Sequence, residues 1–152
     1  MCRLALVIDS CYRNIDLVGS CVKALSAKVF DEPHCDQIEV CVVEAVTNCI
    51  RHSYGGAGGY PVRITCQQEP DRIVIDIEDF GLAMAPHVLE NQSTAFEFDL
   101  DDTEHLPESG LGLAVIKSWM DEVSYRSLDG ANHLLLVKHK PVPDHDAIQA
   151  HP

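Results

Sequence analysis

The sequence predicts an α+β fold, a two-layer sandwich with helices packed on one face of a mixed, mostly antiparallel sheet. Three observations lead there. Short runs rich in β-branched residues, such as Arg3–Ile8 and Arg72–Glu78, read as strands, and the second alternates with Ile73, Ile75 and Ile77 on one face. Two longer segments between them carry apolar residues at helical spacing. A hydrophobic share of 46% with 23% charged residues is that of a chain with a true core, and 152 residues suit one domain.

Taken in order, Arg3–Ile8 is the first strand. Asp9 or Ser10 is then expected to cap a helix through Asn14, Leu17, Val18, Cys21, Leu25 and Val29. Pro33 suits the first turn of a second helix with Asp31 as its cap, and Ile38, Cys41, Val42, Ala45, Val46, Cys49 and Ile50 form its buried stripe. Gly55, Gly56, Gly58 and Gly59 end it in a flexible turn. Pro61–Gln67 and Arg72–Glu78 form a hairpin about Glu69-Pro70-Asp71. From Gly81 to Ser109 periodicity fades, and acids accumulate without one Lys or Arg; a stretch this long is either functional or unstructured. Gly110–Met120 reads as a helix, and Val123–Ser127 with His133–Lys138 as a closing hairpin about Asp129-Gly130. The domain is expected to span 1–140, with a lid at about 81–109. The tail 141–152, with Pro141, Pro143 and Pro152, is expected to be unstructured.

Charge narrows the function. Eleven basic against 24 acidic side chains leave −13, which disfavours nucleic acid and anionic membranes. No apolar run approaches the roughly 20 residues of a membrane helix, and Asp9 interrupts the N-terminal run too early for a signal-peptide core. Seven scattered cysteines without a C-x-x-C pair suggest reduced thiols rather than a disulfide framework or zinc site. A cytoplasmic location is expected.

Three local patterns could carry chemistry. Glu44, Asn48 and His52 recur every fourth residue and share one helix face, where a carboxylate can take a proton and an amide oxygen can ligate a hard cation. An ordinary solvated face has the same spacing. Asp79-Phe80-Gly81-Leu82-Ala83 follows a strand; it is either a turn or a carboxylate acceptor for an exocyclic amine, with Gly81 letting a flat base approach the backbone. Ser109-Gly110-Leu111-Gly112-Leu113 opens a helix, where free amides and the dipole suit a polyphosphate, although G-x-G pairs are common.

In this order the three boxes resemble the nucleotide-binding signature of the GHKL (Bergerat-fold) ATPases. More narrowly, the run Glu44–Tyr54, Ser109–Leu113 and Trp119-Met120-Asp121-Glu122-Val123 resemble the anti-sigma-factor serine/threonine kinases of that superfamily. The resemblance covers roughly residues 3 to 140. It implies ATP and Mg²⁺ as cofactors, with Asn48 as metal ligand and Glu44 as general base toward the substrate hydroxyl. Asp79 would accept from the adenine amino group, Gly81 and Ala83 would shape the base pocket, and Ser109, Gly110, Leu111, Gly112 and Leu113 would face the phosphates. His52 matches the motif and is expected beneath the lid. The implied activity is phosphorylation of a Ser or Thr on an anti-anti-sigma (STAS-domain) protein. The implied alternative partner is a sigma factor or other regulator, held by a homodimer. Two departures stand out. Glu108 occupies a position where many members have a glycine and some anti-sigma kinases a cation. Ala131-Asn132 replaces the usual Gly-Thr, so that Asn132 would hydrogen-bond near the adenine. The rival expectation is a catalytically weak or inactive module of the same fold that sequesters a partner.

Overall fold

The computed structural model describes residues 1–90 and 111–141. Its elements are β1 (Cys2–Asp9), a 3₁₀ turn at Tyr12–Asn14, α1 (Ile15–Ser26), α2 (Glu32–Asn48) and a π-helical turn (Cys49–Ser53). They continue with β2 (Pro61–Gln68), β3 (Arg72–Asp79), α3 (Pro86–Glu90), α4 (Leu111–Trp119), β4 (Glu122–Leu128) and β5 (Ala131–His139). The strands form one sheet in the order β1-β2-β3-β5-β4. Every pairing among the described residues is antiparallel, so the expected parallel component is absent from it.

Alternation makes the sheet two-faced. Val62, Ile64 and Cys66 on β2, Ile73, Ile75 and Ile77 on β3, and Leu134 and Leu136 on β5 are buried. Between the buried β3 positions lie Val74, Asp76 and Glu78 on the opposite face. α1, α2 with its π turn, and α4 supply the other half of the core, with Ile38, Val42, Val46, Ile50 and Ile116 fully enclosed. Each such side chain contributes roughly 2 kcal/mol by leaving water.

α2 follows its sequence closely. Asp31 caps it by accepting from the backbone of His34 at 3.2 Å, and the whole expected stripe Ile38–Ile50 is buried. α1 does not. Neither Asp9 nor Ser10 caps it, because the buried Ser10 hydroxyl ties down the glycine turn instead, donating to the Ala57 carbonyl (2.7 Å) and accepting from the Tyr60 amide (3.1 Å). The helix stops at Ser26, short of Val29. Its inward face is Ile15, Val18, Val22 and Leu25, while Leu17 is exposed. The same side of the helix meets α2, where Gly19 lies so close to Val43 and Glu39 that a Cβ would press on both. Lys23 fastens the same pair of helices through Asp36 and Glu39, and these partners, Asp36 first, hold its ammonium well above the usual range.

Both hairpins form as expected, the second turning at Asp129 and Gly130 with positive φ. The first part of the expected lid contains a short helix, α3, that periodicity did not reveal. The remainder of the lid, with Glu108, and the tail beyond residue 141 lie outside the described residues. No helix among the described residues is long and apolar enough to cross a membrane.

Candidate functional site

The sheet and α2 leave a cleft between them, and its walls follow from the elements just described. The larger part is a cavity of about 420 Å³ lined by Asn48, Cys49, His52, Ser53, Asp79, Leu82, Ala83, Met84, Val88, Leu113, Tyr125 and Leu134, among others. Beside it, a second recess of about 250 Å³ is bordered by Glu44, Thr47, Asn48, Arg51, His52, Leu111, Gly112 and Val115. Asn48 and His52 line both, so the two parts meet at the C-terminal end of α2.

At the first end stands Asp79, the last residue of β3 and 4% exposed. A buried carboxylate needs donors, and this one has several. The Gly81 amide (3.0 Å) and the Asn132 side-chain amide (2.8 Å) both donate to Oδ1, and the Ser53 hydroxyl (3.1 Å) donates to Oδ2. Burial first, and then the neighbouring charge of Asp79, pushes the Cys49 thiol well above its ordinary pKa. Ser53 reaches Asp79 because α2 ends in a π turn, a local widening that is frequent at functional sites. The Ser53 carbonyl also accepts from Leu82 (2.8 Å), and a Cβ on Gly81 would overlap that carbonyl. Glycine at 81 is therefore demanded by the backbone of α2's last turn, a reason separate from any ligand. The chain leaving β3 is pinned again where the Met84 amide donates to the Tyr125 hydroxyl at 2.8 Å.

The second end is different in kind. Asn48 is one turn beyond Glu44 on α2, and its buried Nδ2 has no hydrogen-bond partner. Glu44 packs against the start of α4, where a Cβ on Gly112 would overlap a Glu44 carboxylate oxygen. Arg51 borders this recess, is exposed, and makes no ion pair or hydrogen bond among the described residues. An orphaned amide beside a carboxylate and the first residues of a helix fits a polyphosphate with a hard cation: Nδ2 suits a phosphate oxygen, and the amide oxygen suits the metal. No group of three His, Cys, Asp or Glu side chains among the described residues could hold a metal alone, so a cation here would share ligands with the phosphates.

The cleft thus brings together Glu44, Asn48, His52, Asp79, Ala83, Leu111, Gly112 and Leu113 from three separated segments. Gly81 and Asn132 stand behind Asp79 rather than among the lining residues. Ser109 and Gly110 lie outside the described residues. Arg51, Ser53 and Tyr125 are not among the candidate residues read from the sequence, and Cys49 enters there only as a core residue. Cys49, Arg51 and Ser53 fall inside the run Glu44–Tyr54 that carries the resemblance. Nothing local marks Tyr125, which enters through the β4–β5 register opposite Leu134.

Fold and cleft together are those of an ATPase domain. A family model described as "Histidine kinase-like ATPase domain" matches residues 12–138, and the chain belongs to that family. Among its relatives are an anti-sigma F factor of Clostridium acetobutylicum, 32% identical over 105 residues (69% of each chain), and the serine-protein kinase RsbW of Bacillus mycoides, 28% identical over 66% of this chain and 61% of the relative. A serine/threonine-protein kinase, BtrW, of Bordetella bronchiseptica is 28% identical over 67% of this chain and 68% of its own.

Proposed function

We propose that this protein is an ATP-dependent serine/threonine kinase of the anti-sigma type, phosphorylating an anti-anti-sigma (STAS-domain) protein and alternately holding a sigma factor or similar regulator. The observation that carries the reading is the two-ended cleft: a buried carboxylate at one end, and Asn48 with its unpartnered amide beside Glu44 at the other. The names of the three relatives support the same circuit.

Mg²⁺-bound ATP would supply the transferable phosphoryl group. Asp79 orients the base by accepting from its exocyclic amine, against apolar walls made by Ala83, Met84, Val88 and Leu134. Asn48 would hold the metal and the phosphates, its amide oxygen being suited to a hard cation and its unpartnered Nδ2 to a phosphate oxygen. Leu111, Gly112 and Leu113 stand at the described start of α4, and backbone amides at a helix start suit a triphosphate; Ser109 and Gly110 are proposed to join them at the phosphates. Arg51 brings the one cationic side chain lining the described recess, on a chain whose net charge of −13 opposes an anionic ligand. Glu44, half-buried at the same end, takes the proton of the incoming hydroxyl. His52, an exposed residue, borders both parts, where it can contact the nucleotide. Positioning and charge stabilisation account for most of phosphoryl transfer, and these residues supply both. The working form is a cytoplasmic homodimer, the assembly in which one kinase grips a regulator.

The test is calorimetric titration with ADP and ATP, with and without Mg²⁺, followed by transfer from labelled ATP to a purified STAS-domain protein. Saturable Mg²⁺-dependent binding, with transfer abolished in Glu44→Ala, is expected. Binding without transfer in the wild type would leave the non-catalytic partner-binding module, and no nucleotide binding by the folded chain would sink the kinase reading and leave an interaction domain that keeps only the fold.

A further inference from the structure

The proposed function puts a base against Asp79 but does not say what fixes the carboxylate. We propose that Asn132 is a positioning residue that acts through Asp79, and that the discrimination between bases depends on it. This deepens the nucleotide-binding reading and rests on it.

Asn132 stands on β5 directly opposite Asp79 in the antiparallel register and is 2% exposed. Its side-chain nitrogen donates one hydrogen to Asp79 Oδ1 at 2.8 Å and the other to the Gly81 carbonyl at 3.1 Å. Both neighbours are acceptors only, so chemistry fixes which way the amide faces. A hydroxyl at this position has one hydrogen and could satisfy one acceptor at a time. The amide bridges two, tying the carboxylate to the first turn of the chain leaving β3.

The torsion that Asn132 restrains is a soft one, since the terminal χ of an aspartate is broad and roughly two-fold. Donors arrive from three places: the Ser53 hydroxyl at the end of α2, the Gly81 amide just past β3, and Asn132 on β5. Held this way, Asp79 presents lone pairs in a set direction. A base with an exocyclic amine at that edge donates to it. A base with a carbonyl there sets acceptor against acceptor, and a site built for a hydrogen bond rejects such an analogue strongly because a buried polar group is left unpaired. Without Asn132 the carboxylate can turn to meet water or the ligand indifferently, and the difference between the two bases shrinks. Phosphate binding, at the other end of the cleft, does not pass through this network.

The full chain and the variants Asn132→Ala, Asn132→Thr and Ser53→Ala are titrated with ADP, inosine diphosphate and inorganic tripolyphosphate in Mg²⁺, with thermal unfolding of each. For Asn132→Ala, ADP binding is expected to weaken by about tenfold or more, the loss of one hydrogen bond to a charged group. Inosine diphosphate should change far less, so the ratio collapses, while tripolyphosphate stays within about twofold because its contacts lie elsewhere. Asn132→Thr should recover part of the ratio, and Ser53→Ala should lower it by a smaller factor. Should Asn132→Ala not fold, Ser53→Ala and Asn132→Thr carry the same comparison. A wild type that prefers ADP, with folded variants that keep its preference, overturns the role of Asn132 and leaves the nucleotide reading standing. So does a parallel loss of ADP and tripolyphosphate, the mark of a structural residue. A wild type that binds none of the three overturns both.

Discussion

The two ends of the cleft are built on opposite principles. At the Asp79 end, three side-chain and backbone donors within 3.1 Å hold the carboxylate and leave it room for one more. At the Asn48 end, a buried amide nitrogen is unpartnered and Arg51 has no ion pair among the described residues. The first end is organised by the fold alone, and it contributes to folding stability. The second is completed by what it binds, so its polar groups detract from stability until a ligand meets them. A base can be read rigidly, while phosphates and metal must enter, react and leave.

Substitutions at the two ends should therefore separate affinity from stability. Asn48→Ala is expected to weaken Mg²⁺–ATP binding by about 100-fold or more, the scale of about 3 kcal/mol for charge-assisted bonds. Its unfolding temperature should be unchanged or slightly higher, since an orphaned donor is removed. Asp79→Ala should lose affinity and stability together, by about 2–4 kcal/mol in chemical denaturation, because the Ser53, Gly81 and Asn132 donors lose their acceptor. A stable Asp79→Ala, or a destabilised Asn48→Ala, would break the comparison.

The two glycines sharpen it. A Cβ at Gly81 meets the Ser53 backbone, which cannot step aside, so Gly81→Ala should cost about 2–3 kcal/mol by denaturation. A Cβ at Gly112 meets the Glu44 side chain, which can rotate, so Gly112→Ala should cost less than about 1 kcal/mol in stability. It should instead lower phosphate transfer by displacing Glu44.

Thiol reactivity offers a smaller test. Burial pushes the Cys41 and Cys66 thiols up to about 12 and Cys49 well above its usual value, whereas Cys2 is exposed. Near pH 8 a thiol reagent should label Cys2 rapidly and Cys49 at least about 100-fold more slowly, since the thiolate is the reactive form. ADP should slow Cys49 further, because Cys49 lines the cleft.

The smallest effect lies far from the cleft. The bonds from His34, side chain first, hold the Asp31 carboxyl below its ordinary value of 3.8. A carboxyl lowered on folding stabilises above its unfolded pKa and loses that contribution as pH falls through the folded one. Asp31→Ala should therefore be less stable than wild type at pH 7, and the two unfolding midpoints should converge below about pH 4.

Much of this could be read beforehand where one short segment holds all the information. α2 is the clearest case: Asp31, Pro33 and the stripe from Ile38 to Ile50 specify a cap, a first turn and a buried face within a single helix. The hairpins at Glu69–Asp71 and Asp129-Gly130 are equally local. α1 was legible as a helix but only partly in phase: Ile15, Val18, Val22 and Leu25 stand at helical spacing and are buried, while the equally apolar Leu17 is left exposed beside the close approach of Gly19 to Val43. Ser10 looked like a cap and instead bonds residues 47 and 50 positions away, a choice that local spacing cannot reveal.

The sequence by itself determined the strands, the capped second helix and the candidates Glu44, Asn48 and Asp79, since periodicity and residue chemistry act over one or two turns. Tertiary structure alone decided that β5 lies between β3 and β4, and with it that Asn132 faces Asp79 across 53 residues and that Tyr125 reaches the Met84 amide. It also decided that the last turn of α2 widens so that Ser53 meets Gly81 and Asp79. Such contacts are fixed by strand register and by close packing of backbones, which belong to the assembled sheet and helices and to no segment taken alone.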